Sequence, residues 1–330
     1  MDWLLDRLFR LVVVSGNLRI ITARGAVLSY GDGEGHPVAI RFTSSAWQWA
    51  TILDPELRVG EAFMYGGLVV EQGSIAAFLD LMTRNISSRP PVPWSQVFAA
   101  ARHLRRCASK INTLRRASRN SKHHYDIDER IYRIFLDSDM QYSCAYFEDE
   151  HETLEQAQEA KKRHISAKLN LNRDRLRVML LHTVGRLHGP ADTNAWVWKY
   201  IFPGGHAPAL SELAPIIEGS GLVLTDVEVL RLHYADTLRH WRNRFLAHRE
   251  EALRVALSGE FKHFIRGETF LRMWECYLAG FEASFRNFGL CVFQIQLAKK
   301  LQTVPTTRDY LYDQRQAAAV ARRSASLRLV

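Results

Sequence analysis

Glycine is missing from the whole interval between Gly73 and Gly185 of this 330-residue chain. A glycine-rich turn cradling a nucleotide is therefore excluded from that interval, because only glycine lets successive backbone N–H groups approach a ligand so closely. Cysteine is also scarce. Cys107, Cys144, Cys276 and Cys291 are scattered without a C-x-x-C pair, which argues against a disulfide framework or a structural zinc site and fits a reducing cytoplasm. Long apolar runs are absent too: Leu11-Val12-Val13-Val14 is the longest stretch of Val, Leu and Ile, far below the roughly 20 residues that span a bilayer. A soluble chain is expected. Acids are the remaining shortage, with 35 Asp and Glu against 44 Lys and Arg and a formal charge of +9. That excess calls for an anionic partner, and nucleic acid or an acidic lipid surface would satisfy it.

Hydrophobic residues make up 47% of the chain and aromatics 11%, enough to bury one large core or two smaller ones. The stretch Met1–Arg10 carries two acids and no small-residue cleavage site, so it reads as an amphipathic helix rather than a secretory signal. Leu18–Thr22 and Val38–Phe42 gather β-formers around the turn Gly31–Gly35, predicting a small hairpin-rich sheet. The turn runs into Pro37 and a second β-like stretch, not into the helix start that a phosphate loop requires. Ser74–Asn85 has Ile75, Phe78, Leu79 and Met82 at helical spacing. Pro90-Pro91-Val92-Pro93 forms a stiff break. Arg102–Lys122 then holds eight Lys or Arg and no acid, with Leu104, Cys107, Ile111 and Leu114 on one stripe. That pattern suits a solvated connector or a membrane-surface helix. No helix-turn-helix, zinc or aromatic-basic RNA motif accompanies it, so nucleic acid is not the expected partner.

Farther on, Asp149–Leu171 reads as a long helix with Leu154, Ala157, Ala160, Lys161, His164 and Ile165 inward. Val178–Leu181, Leu222–Leu230 and Cys291–Leu297 read as strands, and Tyr234–Leu257 and Glu268–Asn287 as helices. His123, His164 and His188 match no metal-ligand spacing and are taken as surface or capping groups, and no metal site is expected.

Several runs in order resemble the cyclopropane fatty-acyl phospholipid synthase family. They are His124-Tyr125-Asp126, Gln141-Tyr142-Ser143-Cys144-Ala145-Tyr146-Phe147, Leu154-Glu155-Gln156-Ala157-Gln158, Leu180-Leu181-His182-Thr183-Val184-Gly185, Lys199-Tyr200-Ile201-Phe202-Pro203-Gly204 and His233-Tyr234. Asp54–Leu57 and Gly60–Met64 are similar to the family's accessory domain. The resemblance implies a mixed α/β chain with three parts. Residues 1–89 would be a small α+β accessory domain, 90–122 a basic linker helix, and 123–330 a Rossmann-like methyltransferase domain with a helical C-terminal part. It also implies methyl transfer from S-adenosylmethionine to a cis double bond of a phospholipid acyl chain, at the inner face of the cytoplasmic membrane. That reaction needs a general base in a dry pocket. By matching motifs, a bicarbonate base would contact Cys144, His182, the Val184 backbone and Tyr234, while Tyr125, Tyr142 and Ser143 would touch the cofactor. The family's glutamate partner for that base has no matching position.

The departure from the family lies near 172–177. Intact relatives place the first half of the sheet between the helix ending near Leu171 and the strand at Val178, where this chain has only Asn172-Arg173-Asp174-Arg175-Leu176-Arg177. Four strand-helix units, roughly a hundred residues, are missing, and with them the glycine turn and the ribose-binding acid. The resemblance thus implies a truncated domain, inactive alone, whose first retained strand has lost a neighbour. Self-association, pairing with an intact relative and docking on anionic phospholipid are the expected partnerships. A working synthase whose coding sequence has been misread, separable by reading codons 171 to 178, stays open beside this.

Overall fold

The computed structural model describes residues 2–87, 128–170, 178–261 and 263–311. The basic stretch Arg102–Lys122, Tyr125 and the 172–177 interval lie outside the described residues. The chain is mixed α/β, and its contacts group into two compact units that interleave along the sequence. One comprises Met1–Met140, Ala191–His206 and Leu238–Gly289; the other comprises Gln141–Pro190, Ala207–Thr237 and Leu290–Val330.

The first unit opens with α1 (Asp2–Val12), which buries Leu5 and Phe9. A four-stranded sheet follows, ordered β2 (Val27–Tyr30), β1 (Leu18–Ile21), β3 (Val38–Phe42) and β4 (Leu68–Gln72). The expected sheet is present, with a different connection. The hairpin joins β1 to β2, and β1 runs parallel to β3, because β2 occupies the stretch just before the glycine turn. Helices α2 (Ser45–Leu53) and α3 (Pro55–Met64) precede β4, and α4 (Ile75–Ser87) follows it. Helices α5 (Glu129–Phe135), α7 (Ala195–Tyr200), α10 (Arg249–Leu257) and α11 (Gly267–Asn287) also lie in this unit. Its interior is aromatic, with Phe135, Trp274 and Phe270 in ring contact with one another or with Trp241, Phe245 and Tyr277. Buried Glu61 accepts from Lys199 Nζ at 2.7 Å and Tyr200 Oη at 2.8 Å, and from Arg58 at 2.6 Å, which satisfies a carboxylate that would otherwise be costly to bury.

The second unit is a three-stranded antiparallel sheet, ordered β5 (Val178–Arg186), β7 (Leu290–Ala298), β6 (Val223–Leu230). The strand β7 is central and buried along almost its whole length. Its alternation divides two faces. Cys291, Phe293, Ile295 and Leu297 pack with Ile217 and Leu213 of α8 (Leu210–Gly219) and with Leu181, Val227 and Val229. Gln294 and Gln296 occupy the opposite face and are also buried, and they bond Lys168 of α6 (Leu154–Leu169). The helix begins at Leu154 rather than Asp149, because Thr153 and Gln156 form a reciprocal capping box that fixes its first turn. The Tyr234–Leu257 pattern is likewise two helices, α9 (His233–Ala247) and α10, separated at His248.

Candidate functional site

Strand register builds the site. His182 of β5, Gln294 of β7 and Glu228 of β6 stand opposite one another in a single row across the sheet. Helix α6 supplies His164 and Lys168, one turn apart and therefore on one face. His164 Nε2 lies 2.5 Å from Glu228 Oε2, and Lys168 Nζ donates to the same oxygen at 2.5 Å and to Gln294 Oε1 at 2.8 Å. Gln294 Nε2 in turn donates to His182 Nδ1 at 3.2 Å. Burial opposes ionisation of Glu228, but hydrogen bonds from His164 and Lys168 outweigh it and bring the carboxyl down to about 2. Burial, reinforced by the positive charges of Lys161 and Lys168, brings His182 down to about 4. The His182 imidazole is therefore neutral at physiological pH.

His164 is thus a correction to its reading as a surface or capping group. It is 4% exposed, and Tyr146 stacks on it at 4.4 Å and on His233 at 4.7 Å. The Phe147 N–H donates to His233 Nδ1 at 3.1 Å.

Beside this network lies a cavity of about 500 Å³ lined by Gln141, Ser143, Lys161, Lys162, Ile165, Ser166 and His182. Lys161 is 4% exposed and donates to Ser143 Oγ at 2.8 Å. Gln158 Nε2 holds the loop in place by donating to the carbonyls of Gln141 and Ser143.

Of the residues singled out in the sequence, Ser143 and His182 therefore meet at one cavity. Cys144 is buried outside its lining, with Sγ donating to the Ala145 carbonyl at 3.2 Å, and burial pushes its thiol well above the ordinary value. A buried neutral thiol is a poor nucleophile. Val184 sits in β5 opposite Val292, its carbonyl accepting from Thr183 Oγ1. Tyr234 is half-buried in the first turn of α9 and Tyr142 half-buried beside Ser143; both stand outside the cavity lining. Tyr125 lies outside the described residues. Motif reading did not reach Lys168, Glu228 and Gln294. Lys161 and His164 on the apolar side of a helix were the available signal, since a charge there needs a partner. Among the described residues no cluster of His, Cys, Asp and Glu could hold a metal, and no helix is long and apolar enough to cross a membrane.

The profile of the mycolic acid cyclopropane synthetase family matches residues 112–177 and 174–295, two stretches that meet at 174–177. A tuberculostearic acid methyltransferase of Mycobacterium tuberculosis is 39% identical over 116 residues, which are 35% of this chain and 25% of that protein. A probable fatty acid methyltransferase of Pseudomonas putida is 26% identical over 295 positions, taking in 58% of this chain and 72% of that protein. The cyclopropane-fatty-acyl-phospholipid synthase of Escherichia coli is 28% identical over 125 residues, 38% of this chain and 30% of that protein. The chain thus spans about a quarter of the Mycobacterium tuberculosis relative. Among solved structures, a mycolic acid cyclopropane synthase complexed with SAH and CTAB matches at 22% identity and TM-score 0.46, covering 55% of this chain and 97% of that one.

Proposed function

Because the chain belongs to the mycolic acid cyclopropane synthetase family, we propose that it is a member whose cofactor-binding half is lost, so that methyl transfer from S-adenosylmethionine does not proceed on this chain alone. The observation that carries the reading is the lining of the Ser143–His182 cavity, which among the described residues has two lysines and no carboxylate. S-adenosylmethionine carries a cationic sulfonium and ammonium and a ribose diol that is ordinarily gripped by an acid after a strand. Lysines would pair with the cofactor's α-carboxylate, but they repel the sulfonium and ammonium and cannot replace the acid at the diol, so the described lining does not fit the cationic, methyl-bearing part of this cofactor or its ribose. Support also comes from the Pseudomonas putida alignment, which runs over more positions than the residues it takes from this chain, as an alignment bridging a missing internal segment would.

The same lining suits a small anion. Lys161 Nζ, the Ser143 hydroxyl and neutral His182 are the groups that would hold the bicarbonate expected of intact relatives, which supplies a proton acceptor when bound. Without a methyl donor beside it, that acceptor has no cation to deprotonate.

A second reading, a lipid-surface protein without catalysis, is favoured by α1. Trp3 is 69% exposed, with the Arg7 guanidinium 5.6 Å from its ring, a pairing of the kind that sits at bilayer interfaces. One experiment addresses both readings. The purified chain is incubated with labelled S-adenosylmethionine and unsaturated anionic liposomes, beside an intact family enzyme. The expected result is no label in lipid from this chain. Turnover by it would overturn the first reading. Cosedimentation that weakens with salt would favour the second.

A further inference from the structure

We propose that the outer edge of β5 is an interaction surface that pairs with β5 of a second copy of this chain. The edge can be read residue by residue. At its end, the Arg186 N–H donates to the Pro208 carbonyl at 3.0 Å, away from β7, and Arg186 bridges Ala209. The β5–β7 register is uninterrupted from Val178 to Arg186. With a strand period of two, the N–H and C=O groups of Val178, Leu180, His182 and Val184 therefore point the same outward way. Among the described residues the backbone groups of Val178–Val184 meet no strand on that side.

The two edges of this sheet differ in kind. The outer strand β6 carries Asp226 and Glu228 and a register break between Leu224 and Asp226, devices that discourage edge pairing. From Val178 to Gly185, β5 has no charged residue, no proline and no bulge. An unguarded edge of this length is a template for another strand.

A second copy is the occupant because the edge complements itself. With a two-fold axis at Leu181, Leu180 of one copy exchanges both bonds with His182 of the other, and Val178 does so with Val184. Every outward group on Val178–Val184 is then satisfied in both copies at once. Such an isologous contact is the commonest closed assembly. The uncharged edge adds no repulsion between two chains that each carry +9.

The test is sedimentation velocity of the full chain over a concentration series. The unmodified chain is expected as a dimer. Leu180→Pro removes an outward donor while leaving the bonds to β7 untouched, and should raise the dissociation constant at least roughly tenfold. Met179→Lys with Thr183→Lys sets like charges opposite each other across the axis and should do the same, while Met179→Lys with Thr183→Glu should restore the dimer. Circular dichroism of each variant separates loss of pairing from loss of fold. Hydrogen exchange on the unmodified chain reads the edge without mutation: protection at Leu180, His182 and Val184 should rise with concentration. A monomer at all concentrations, protection of these amides independent of concentration, association unchanged in the folded variants, or assembly only with an intact family enzyme would each overturn the proposal.

Discussion

At the scale of single residues, the decisive feature is where charge is buried. Lys168 is 1% exposed, and its pKa is lowered by burial, an effect partly offset by Glu228. His182 has a stability consequence with a definite sign. Its ordinary pKa is 6.5 and its folded value about 4, so between those values the unfolded chain binds a proton that the folded chain refuses, and stability falls as pH drops from 6.5 to 4. Glu228 has the same direction in a lower window, since its stabilisation is present above its ordinary value of 4.5 and is lost as pH falls toward 2. Thermal unfolding should therefore show a melting temperature that declines from pH 7 to pH 4. In His182→Gln the decline between 6.5 and 4 should be shallower, with the portion below 4.5 retained. An unchanged profile in the variant would mean that His182 titrates normally. His182 itself was legible in the Leu-Leu-His-Thr-Val-Gly run. Its partners were not, because Gln294 and Glu228 lie 112 and 46 residues away in the chain and only strand register brings them into one row.

At the scale of elements, the periodic segments were legible and their junctions were not. Strand β7 and helix α11 fall within a residue or so of the ranges expected from their patterns. The start of α6 was also written in the chain, as Thr153 and Gln156 at capping-box spacing, although periodicity alone extended the helix to Asp149. The parallel pairing of β1 with β3 has no local signature, since it follows from where β2 and the intervening turn place the chain. Gly185 shows how one element constrains another. A Cβ there would lie 2.2 Å from Cε2 of Phe293 and 2.9 Å from the Pro208 carbonyl oxygen. Phe293 is packed in the α8-facing core and cannot withdraw cheaply. Gly185→Ala should cost about 1–3 kcal/mol of overpacking, measured by urea unfolding. A cost near zero would mean that β5 and β7 separate more readily than their continuous register implies.

At the scale of the whole molecule, ancestry was legible because the family's runs survive in order, and the family profile matches the chain that carries most of them. The interleaved arrangement of the two units was not, since segments from three parts of the chain join each one, and no composition shift marks those exchanges. Family membership does not itself decide whether this chain grips the cofactor. Isothermal titration of the purified chain with S-adenosylmethionine tests that most directly. No saturable heat is expected at millimolar ligand, because among the described residues the cavity lining offers lysines and no acid for the ribose. A clear saturable isotherm would contradict this expectation.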